Sequence, residues 1–404
     1  MELGDPQDRI PSAIHITGTN GKGSTGAFIR AMAEAAGLKV HVFTSPHLIQ
    51  VNERIRVAGR LVADGELADV LDDIARRTEG LTYFEALTAA AYCLFAQNYA
   101  DFSIIEVGAG GATDATNVMT HPAACVVTPI SRDHESLFGV SGVAAIARLK
   151  AGIFREGVPA IFAEQPAIAL GVLREEARTA AAPVTYAGQD WNGRWDGEAF
   201  IYEGVKIKVR TPWLGLPGRH QAQNAAAACA AVEAIGDPRI GVEAMAAGLR
   251  EATWPARLQR LRSGPLTGGN GAAVWVDAAH NPGGAAALAE AINSTRPEEG
   301  DKIALVLAIQ AVKDIEAVLA ELVPAVDEII TCPLPDSGGQ EGGPGADPHS
   351  VATLAAALGA KASTAANFIE GAELARRRGA DRIFIAGSVY LCGAALKANG
   401  EHVE

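Results

Sequence analysis

The chain has 404 residues, of which 49% are hydrophobic, and this is enough apolar material for two cores, so two domains are predicted. Its 34 basic and 47 acidic residues give a formal net charge of −13 with no basic cluster, which argues against a nucleic-acid groove. The five cysteines stand far apart without a C-x-x-C pair, which argues against zinc and is typical of buried thiols in a reducing compartment. No run reaches the roughly 18 apolar residues of a membrane span and no targeting pattern opens the chain, so we expect a cytoplasmic protein without a membrane partner.

Short runs rich in β-branched residues alternate along the first half of the chain with stretches rich in alanine and leucine. This alternation predicts an α/β fold, with a mostly parallel sheet between helices. The predicted strands are Ala13–Thr17, Val40–Thr44, Phe102–Val107, Ala124–Thr128 and Pro159–Ala163, with a hairpin-like pair within Phe200–Val209. The predicted helices are Ser24–Ala36, Asp64–Arg77, Phe84–Asn98, Val143–Lys150 and His220–Ile235.

A break in composition follows at Trp254-Pro255-Ala256-Arg257. We predict a domain boundary near residue 257, with one domain over 1–257 and a smaller, Rossmann-like α/β domain over 258–404. The strands predicted for the second domain are Val274–Asp277, Ile303–Ile309, Glu328–Thr331 and Arg382–Ala386.

The first predicted strand leads into a glycine-rich loop that holds one lysine and several hydroxyl groups. The loop residues are Gly18, Thr19, Asn20, Gly21, Lys22, Gly23, Ser24 and Thr25. Glycines let backbone N–H groups converge on phosphate oxygens, Lys22 adds positive charge, and a hydroxyl group can bind Mg²⁺. The usual phosphate loop has its hydroxyl directly after the lysine, whereas Gly23 intervenes here. The pattern favours a P-loop-type site for a nucleotide polyphosphate, and a plain turn is the alternative.

Polar side chains also follow two later strands, at the sheet edge where ligands of open α/β folds bind. Glu106 ends one strand, before a second glycine-rich loop, and Asp133-His134 follows the next strand. A carboxylate at this edge is either solvated or a ligand of Mg²⁺, which prefers one or two carboxylates together with substrate phosphates. The Asp-His pair is either part of a capped turn or a neighbour of that site.

Five further residues have both an ordinary and a functional interpretation. Lys150 ends a helix, where it either complements the helix dipole or serves the site. Asn224, with Gln221 one turn before it, either caps a turn or contacts an adenine edge. Arg257 is either a linker residue or, with Asp277, part of a clamp on a triphosphate and its ribose when two domains close.

The whole pattern resembles the dihydrofolate synthase/folylpolyglutamate synthase family of the Mur ligase superfamily. The matching segments in the first half are Thr17-Gly18-Thr19-Asn20-Gly21-Lys22-Gly23-Ser24, Thr44-Ser45-Pro46-His47-Leu48, Glu53-Arg54-Ile55, Phe84-Glu85, Glu106-Val107-Gly108, Asp114-Ala115-Thr116-Asn117, Asp133-His134 and Lys150-Ala151-Gly152-Ile153. Those that follow are His220-Gln221, Asn224-Ala225-Ala226, Asp277-Ala278-Ala279-His280-Asn281-Pro282, Lys313-Asp314 and Gly387-Ser388-Val389-Tyr390-Leu391.

The resemblance implies a role for each matching side chain. Ser24, Glu106 and His134 would bind Mg²⁺, and Lys150 is at a position that family members often carbamylate. Asn224 and Gln221 would hold adenine. Asp277 would hold the ribose and Arg257 would bind the γ-phosphate, while His280 would line the junction of the two predicted domains. The acid substrate would lie near Ser45, His47, Phe84, Asp114 and Ala115, and glutamate near Ser388 and Tyr390. The catalytic residues implied are Lys22, Lys150, Arg257 and His280.

The chemistry implied by the resemblance is ATP-dependent amide synthesis. A pterin or folate carboxylate attacks the γ-phosphate of MgATP to form an acyl phosphate, and the amine of L-glutamate displaces phosphate. ATP and Mg²⁺ are the expected cofactors, a monovalent cation such as K⁺ is a further candidate, and a monomer is expected. Two departures, Ala112 in place of the family's arginine and Val312 in place of an acid, favour a related ligase that uses another carboxylic acid as the first alternative. A nucleotide-binding protein without catalysis is the second alternative.

Overall fold

A computed structural model of the chain describes residues 3–133, 135–268, 271–295, 300–335 and 343–401. The chain divides by its internal contacts into two compact units, Met1–Trp254 and Pro255–Glu404. This division lies close to residue 257, where the sequence predicts a boundary.

The first unit is built on an eight-stranded sheet. Its strands are β1 (Ala13–Thr17), β2 (Val40–Phe43), β3 (Ile55–Val57), β4 (Arg60–Leu61), β5 (Phe102–Glu106), β6 (Ala124–Val127), β7 (Ala160–Phe162) and β8 (Val184–Tyr186). Their order is β4-β3-β2-β5-β1-β6-β7-β8, parallel except for the antiparallel pairings of β3 with β2 and β4. Because β1 lies between β5 and β6 and all three are parallel, their carboxyl ends meet at one edge of the sheet.

The helices of the first unit pack on this sheet, and a small antiparallel sheet accompanies them. The helices are α1 (Lys22–Ala35), α2 (Asp64–Arg77), α3 (Tyr83–Gln97), α4 (Glu135–Phe138), α5 (Val143–Ala151), α6 (Ala167–Thr179), α7 (Gln221–Ile235) and α8 (Val242–Glu251). The small sheet has the order β11-β10-β9, formed by β9 (Asn192–Trp195), β10 (Phe200–Glu203) and β11 (Lys208–Thr211). One apolar cluster joins the large sheet to α1, α7 and α8, a second involves α5 and α6, and a third involves α2 and α3.

The second unit has its own six-stranded sheet and its own apolar core. Its strands are β12 (Gln259–Arg260), β13 (Ala273–Asp277), β14 (Ile303–Leu307), β15 (Glu328–Thr331), β16 (Ala362–Thr364) and β17 (Arg382–Ala386). The order is β12-β13-β17-β14-β15-β16, in which β12 alone among these strands is antiparallel. Its helices are α9 (Pro282–Ser294), α10 (Ile315–Leu322), α11 (Pro348–Ala357), α12 (Phe368–Arg377) and α13 (Val389–Asn399).

The predicted α/β class is confirmed: a mostly parallel sheet unit is followed by a smaller Rossmann-like unit. The short strands β3, β4, β8, β9, β12 and β16 were not predicted from the sequence. These have two to four residues each, too few to show an apolar period. Within the described ranges, none of the helices combines the length and the apolar character that a membrane crossing needs.

Candidate active site

The phosphate loop joins the end of β1 to the start of α1. Gly18 and Gly21 have φ angles of 142° and 88°, which a side chain would disfavour. A Cβ atom on Gly21 would lie 2.2 Å from Oδ1 of Asn224, so the loop also needs glycine for space. Gly21 is the N-cap of α1 and provides no side-chain hydrogen bond, and the first turn holds no acidic residue. The amino end of α1 therefore keeps its positive dipole and its backbone donors for an anion, which fits a polyphosphate.

Lys22 folds back over this loop. Its Nζ donates to the carbonyl oxygens of Gly18 at 3.2 Å and Thr19 at 3.4 Å, and lies 3.8 Å from Oε1 of Glu106. The lysine is therefore held at the loop, within reach of a phosphate oxygen placed there.

Two other loop residues bind the segment that follows β6. The hydroxyl of Thr19 donates to the carbonyl oxygen of Ser131 at 3.0 Å and accepts from its N–H group at 3.1 Å. Nδ2 of Asn20 donates to Oγ of Ser131 at 3.2 Å. Oγ1 of Thr25 is buried and has no hydrogen-bond partner among the described residues. The loop is thus fixed to the segment that leads to Asp133.

Lys150, near the end of α5, reaches the same loop from another side. Its Nζ donates to the carbonyl oxygen of Gly18 at 2.8 Å. Burial, and secondarily the positive charge of Lys22, lower the pKa of Lys150 to about 7, although the charges of Asp133 and Asp114 act in the opposite direction. A large fraction of this amine is therefore neutral, and hence nucleophilic, near neutral pH.

The predicted metal ligands Ser24 and Glu106 are both buried at the carboxyl edge of the sheet. Glu106 ends β5 and pairs in register with Ile16 of β1, directly before the phosphate loop. Ser24 lies in the first turn of α1 and accepts a hydrogen bond from Nε2 of Gln221 at 3.4 Å. The third predicted ligand, His134, lies outside the described residues.

The amides of α7 lie against the phosphate loop. Nδ2 of Asn224 donates to Oε1 of Gln221 at 2.9 Å, and both side chains are buried. Their contacts with Ser24 and Gly21 place them beside the loop itself, and their predicted contact with adenine stays a prediction.

Asp114 organises the second glycine-rich loop, which follows β5. Its carboxylate accepts from the N–H group of Ala109 at 2.8 Å, from the N–H group of Thr116 at 3.0 Å and from the hydroxyl of Thr116 at 2.6 Å. Three of its acceptor positions are therefore used within the loop. Ala115, between Asp114 and Thr116, is half-buried.

A buried histidine of β1, for which no role was predicted from the sequence, supports this loop. Nε2 of His15, in β1, lies 2.9 Å from Oγ1 of Thr116. A carboxylate only accepts, so the Thr116 hydroxyl donates to Asp114 and must accept from His15, which fixes the proton of His15 on Nε2. Burial lowers the pKa of His15 to about 3, so the ring is neutral. The signal in the sequence was a histidine between two isoleucines in a strand predicted to be buried.

The segment with Ser45 and His47 is held by side chains that follow it. Glu53 accepts hydrogen bonds from the N–H groups of residues 48, 49 and 50 at 2.6, 2.8 and 2.7 Å. Nδ1 of His47 accepts from Nε of Arg54 at 2.9 Å, while Nε2 of His47 is buried without a hydrogen-bond partner among the described residues. Burial and the charge of Arg54 lower the pKa of His47 to about 4, so a neutral ring carries this unused proton. The peptide bond between Ser45 and Pro46 is cis.

Phe84 packs on the backbone of the second glycine-rich loop. A Cβ atom on Gly108 would lie 2.4 Å from Cζ of Phe84, so the ring contacts the glycine directly. The rings of Phe84 and Phe43 are 5.8 Å apart, and the guanidinium of Arg54 lies 5.4 Å from the ring centre of Tyr83. The predicted acid-side segments of the first unit therefore converge on one another.

In the second unit, Arg257 lies between two residues with left-handed backbones. Ala256 and Leu258 have φ angles of 56° and 44°, and the Arg257 guanidinium donates to the carbonyl oxygen of Ala256 at 3.0 Å. Asp277 accepts from the N–H groups of Leu258 at 2.7 Å and Ala279 at 2.9 Å. Asp277 thus fixes the segment that carries Arg257, and its predicted contact with ribose stays a prediction.

The other predicted residues of the second unit lie at the starts of helices or just before them. Nδ1 of His280 donates to the carbonyl oxygen of Ala278 at 2.8 Å, which directs the opposite edge of the ring away from that bond. Ser388 is the N-cap of α13, where its hydroxyl accepts from the N–H group of Tyr390 at 3.1 Å, and both residues are buried.

Two family profiles match the chain, one within each unit. The sequence profile of the Mur ligase middle domain matches residues 16–232, and that of the dihydrofolate synthetase C-terminal domain matches residues 260–398. A dihydrofolate synthase/folylpolyglutamate synthase from Bacillus subtilis (strain 168) is 38% identical over 305 residues, which cover 71% of this chain and 69% of the relative. The chain belongs to the dihydrofolate synthase/folylpolyglutamate synthase family.

Solved structures of this family share the whole fold. Folylpolyglutamate synthase from Mycobacterium tuberculosis, in complex with ADP and AMPPCP, aligns with a TM-score of 0.87 and 30% identity, over 100% of this chain and 94% of that one. A bifunctional folylpolyglutamate synthase/dihydrofolate synthase with Mn, AMPPNP and L-glutamate bound aligns with a TM-score of 0.83 and 29% identity, over 98% and 93%. The chain is an ATP-dependent ligase, as the sequence predicts.

Proposed function

We propose that this ligase adds L-glutamate to dihydropteroate, to the γ-carboxylate of folates, or to both, with MgATP as the energy source. The acid's carboxylate oxygen attacks the γ-phosphorus and ADP leaves, which forms an acyl phosphate. The amine of glutamate then attacks the acyl carbon, phosphate leaves, and the amide remains. The names of the relatives support these substrates, and the observation that carries the proposal is the meeting of Lys22, Glu106 and Lys150 at one uncapped phosphate loop.

In this proposal the first unit holds the nucleotide and its metal ion. The loop of residues 18–25, which includes Lys22, binds the phosphates. The hydroxyl of Ser24, the carboxylate of Glu106 and the imidazole of His134 bind Mg²⁺. Bound Mg²⁺ neutralises charge on the phosphates during transfer. The buried hydroxyl and carboxylate at the sheet edge are hard oxygen donors of the kind that Mg²⁺ prefers.

Lys150 becomes an anion in this proposal when its neutral amine attacks CO₂ and releases a proton to solvent, which forms a carbamate. The lowered pKa of Lys150 supports this reaction, because only an unprotonated amine attacks CO₂. A carbamate would attract the metal ion, whereas an ammonium group would repel it. Magnetic resonance with labelled bicarbonate tests the assignment, since the carbamate signal is expected in the wild type and not in Lys150→Met.

The acid and amino substrates would use residues of both units. Ser45, His47, Phe84, Asp114 and Ala115 receive the pterin end, and the unused Nε2–H group of His47 is a donor available for it. Residues of the second unit act on the other groups: Arg257 on the γ-phosphate, Asp277 on the ribose, His280 at the junction, and Ser388 and Tyr390 on glutamate.

The deciding experiment measures ATP consumption with glutamate and either dihydropteroate or tetrahydrofolate, with the products identified by mass. A product heavier by one glutamyl residue with either acid supports the proposal. Turnover with a different carboxylic acid and none with these two would favour the related ligase that Ala112 and Val312 suggest. Tight nucleotide binding without phosphate release for any acid would favour the non-catalytic alternative.

The remaining expectations concern conditions and assembly. We propose that K⁺ supports turnover beside Mg²⁺, that the enzyme acts as a monomer, and that it works in the cytoplasm without a nucleic-acid or membrane partner. Rates with K⁺ replaced by Na⁺ and molar mass by light scattering test the first two.

A further inference from the structure

Gly23, the residue that separates Lys22 from Ser24, lies under an indole ring. A Cβ atom on Gly23 would lie 2.7 Å from Nε1 of Trp254 and 2.8 Å from Cε2 and Cζ2. Real Cβ atoms essentially never approach so closely, and the nearest atoms belong to the rigid ring itself. Gly23 lies in the first turn of α1 without the positive φ of Gly18 and Gly21, so backbone conformation does not explain its lack of a side chain.

The indole is held in place by the way α8 crosses α1. A Cβ atom on Gly248 of α8 would lie 2.3 Å from the backbone nitrogen of Met32, so the two helices are in backbone contact there. The last turn of α8 is fixed as well, because the N–H group of Gly215 donates to the carbonyl oxygen of Leu249 at 2.8 Å, and Ala252, directly after the helix, is buried. Trp254 follows, partly buried against the apolar cluster that includes α1. The ring is therefore anchored beside the first turn of α1 by the end of α8 and by its packing on this cluster.

We infer that Trp254 is a positioning residue of the phosphate loop. Its indole supports the first turn of α1 at Gly23, between the lysine and the hydroxyl that serve the nucleotide, and Gly23 is required there because the ring occupies the space of a side chain. The inference rests on the ATP-dependent activity and adds the reason why the residue between the lysine and the hydroxyl is a glycine. It also connects the nucleotide to the linker, since only Pro255 separates Trp254 from Ala256.

A double variant distinguishes this role from the usual one, in which a loop glycine admits a phosphate to the backbone. Gly23→Ala should weaken the binding of AMPPNP with Mg²⁺ roughly tenfold or more, because the methyl group overpacks against the ring. Gly23→Ala combined with Trp254→Ala should bind the nucleotide about as well as Trp254→Ala alone and better than Gly23→Ala, since the obstruction is gone. Gly26→Ala is the matched control on the same helix: its Cβ atom would lie 3.5 Å from Ile104 and 3.6 Å from Ile16, an ordinary contact, so binding should be unchanged.

Calorimetry of nucleotide binding and steady-state kinetics give the readouts. Trp254→Ala alone should raise the KM for ATP more than it lowers kcat, Trp254→Phe should restore most of the loss, and thermal unfolding should show that each variant is folded. Nucleotide binding should change the tryptophan fluorescence of the wild type. It should not change the fluorescence of the four tryptophans that remain in Trp254→Phe. A double variant that binds no better than Gly23→Ala, or a Trp254→Ala variant with unchanged KM, would overturn the inference. A wild-type protein that does not bind the nucleotide would contradict the proposed function instead, so the two failures are distinguishable.

Discussion

At the scale of single residues, three ionisable side chains lie close together around the phosphate loop. Lys22 lies within 3.8 Å of Glu106, and Lys22 and Lys150 both donate to the carbonyl oxygen of Gly18. One lysine, one carboxylate and one buried amine of lowered pKa around a single loop suit a triphosphate that arrives with a metal ion, because the phosphates then gain the charge of Lys22 and the metal ion gains the carboxylate.

Lys22→Ala and Glu106→Gln should each abolish turnover while the fold stays intact. Removal of one preorganised charged group typically costs about 3 kcal/mol in the transition state, or roughly 10²-fold or more in rate. Product formation under saturating substrates measures the loss, and circular dichroism checks the fold. Lys206→Ala, an exposed lysine of the same unit, is the matched control. Near-normal rates in either test variant would show that the assigned role is wrong.

Lys150 predicts a specific dependence of stability on pH in the absence of ligands. Its pKa is lowered from 10.5 to about 7 in the folded state, so between these values the unfolded chain binds the extra proton. The free energy of unfolding should therefore rise with pH across this interval, and the burial penalty is fully present below pH 7. Chemical unfolding of wild type and Lys150→Met at several pH values should show the advantage of the variant shrinking by a few kcal/mol as pH rises. A difference in the free energy of unfolding that does not change with pH would contradict the prediction. The control variant Lys39→Met replaces an exposed lysine and should show no pH-dependent difference from the wild type.

At the scale of elements, the loop after β5 depends on a chain of hydrogen bonds from β1. His15 donates to Thr116, and Thr116 donates to Asp114, which also accepts from the backbone of the loop. These hydrogen bonds link the strand that leads into the phosphate loop to the loop for which we propose pterin binding.

Thr116→Val should destabilise the first unit by about 1–3 kcal/mol, because a buried donor and a buried acceptor each lose a partner. We also expect a higher KM for the acid substrate with little change for ATP, since Asp114 then loses one of the bonds that orient it. Urea unfolding and steady-state kinetics check the two effects, with the exposed Thr179→Val as control. Equal effects on both KM values would argue against a local role for this chain of bonds.

The elements also show what the sequence could and could not predict. The central strands and the loops at their ends were predictable, because buried parallel strands are continuous apolar runs and polar residues directly after them stand out. The edge strands were not, since β4 and β12 have only two residues each. The support given by His15 to Thr116, and by Trp254 to Gly23, joins positions far apart in the chain. Neither contact leaves a local pattern that spacing alone would reveal.

At the scale of the whole molecule, the assigned roles are divided between units that have separate cores. The phosphate loop, Glu106 and Lys150 are in the first unit, whereas Arg257, Asp277 and Ser388 are in the second.

A fragment of residues 1–254 should therefore bind AMPPNP with Mg²⁺ and yet form no amide. The fragment keeps three apolar clusters and all the proposed metal ligands, but lacks the proposed arginine for the γ-phosphate. Ligand at one hundred times its Kd would stabilise the fragment by about 2.7 kcal/mol, which a thermal shift detects. Fragment carrying Lys22→Ala is the control and should show a much smaller shift. Amide formation by the fragment alone would contradict the division of roles.

The pair of left-handed residues around Arg257 makes this segment sensitive to its length. Ala256 and Leu258 adopt left-handed backbone conformations on either side of the arginine, and Asp277 and Ala278, at the end of β13 and directly after it, bind the backbone of these two residues. One inserted or deleted residue between 255 and 258 would turn the guanidinium toward a different direction, even if every side chain were retained. Exposed turns elsewhere tolerate such insertions and deletions, but here the direction of the Arg257 side chain depends on the exact number of residues in the segment.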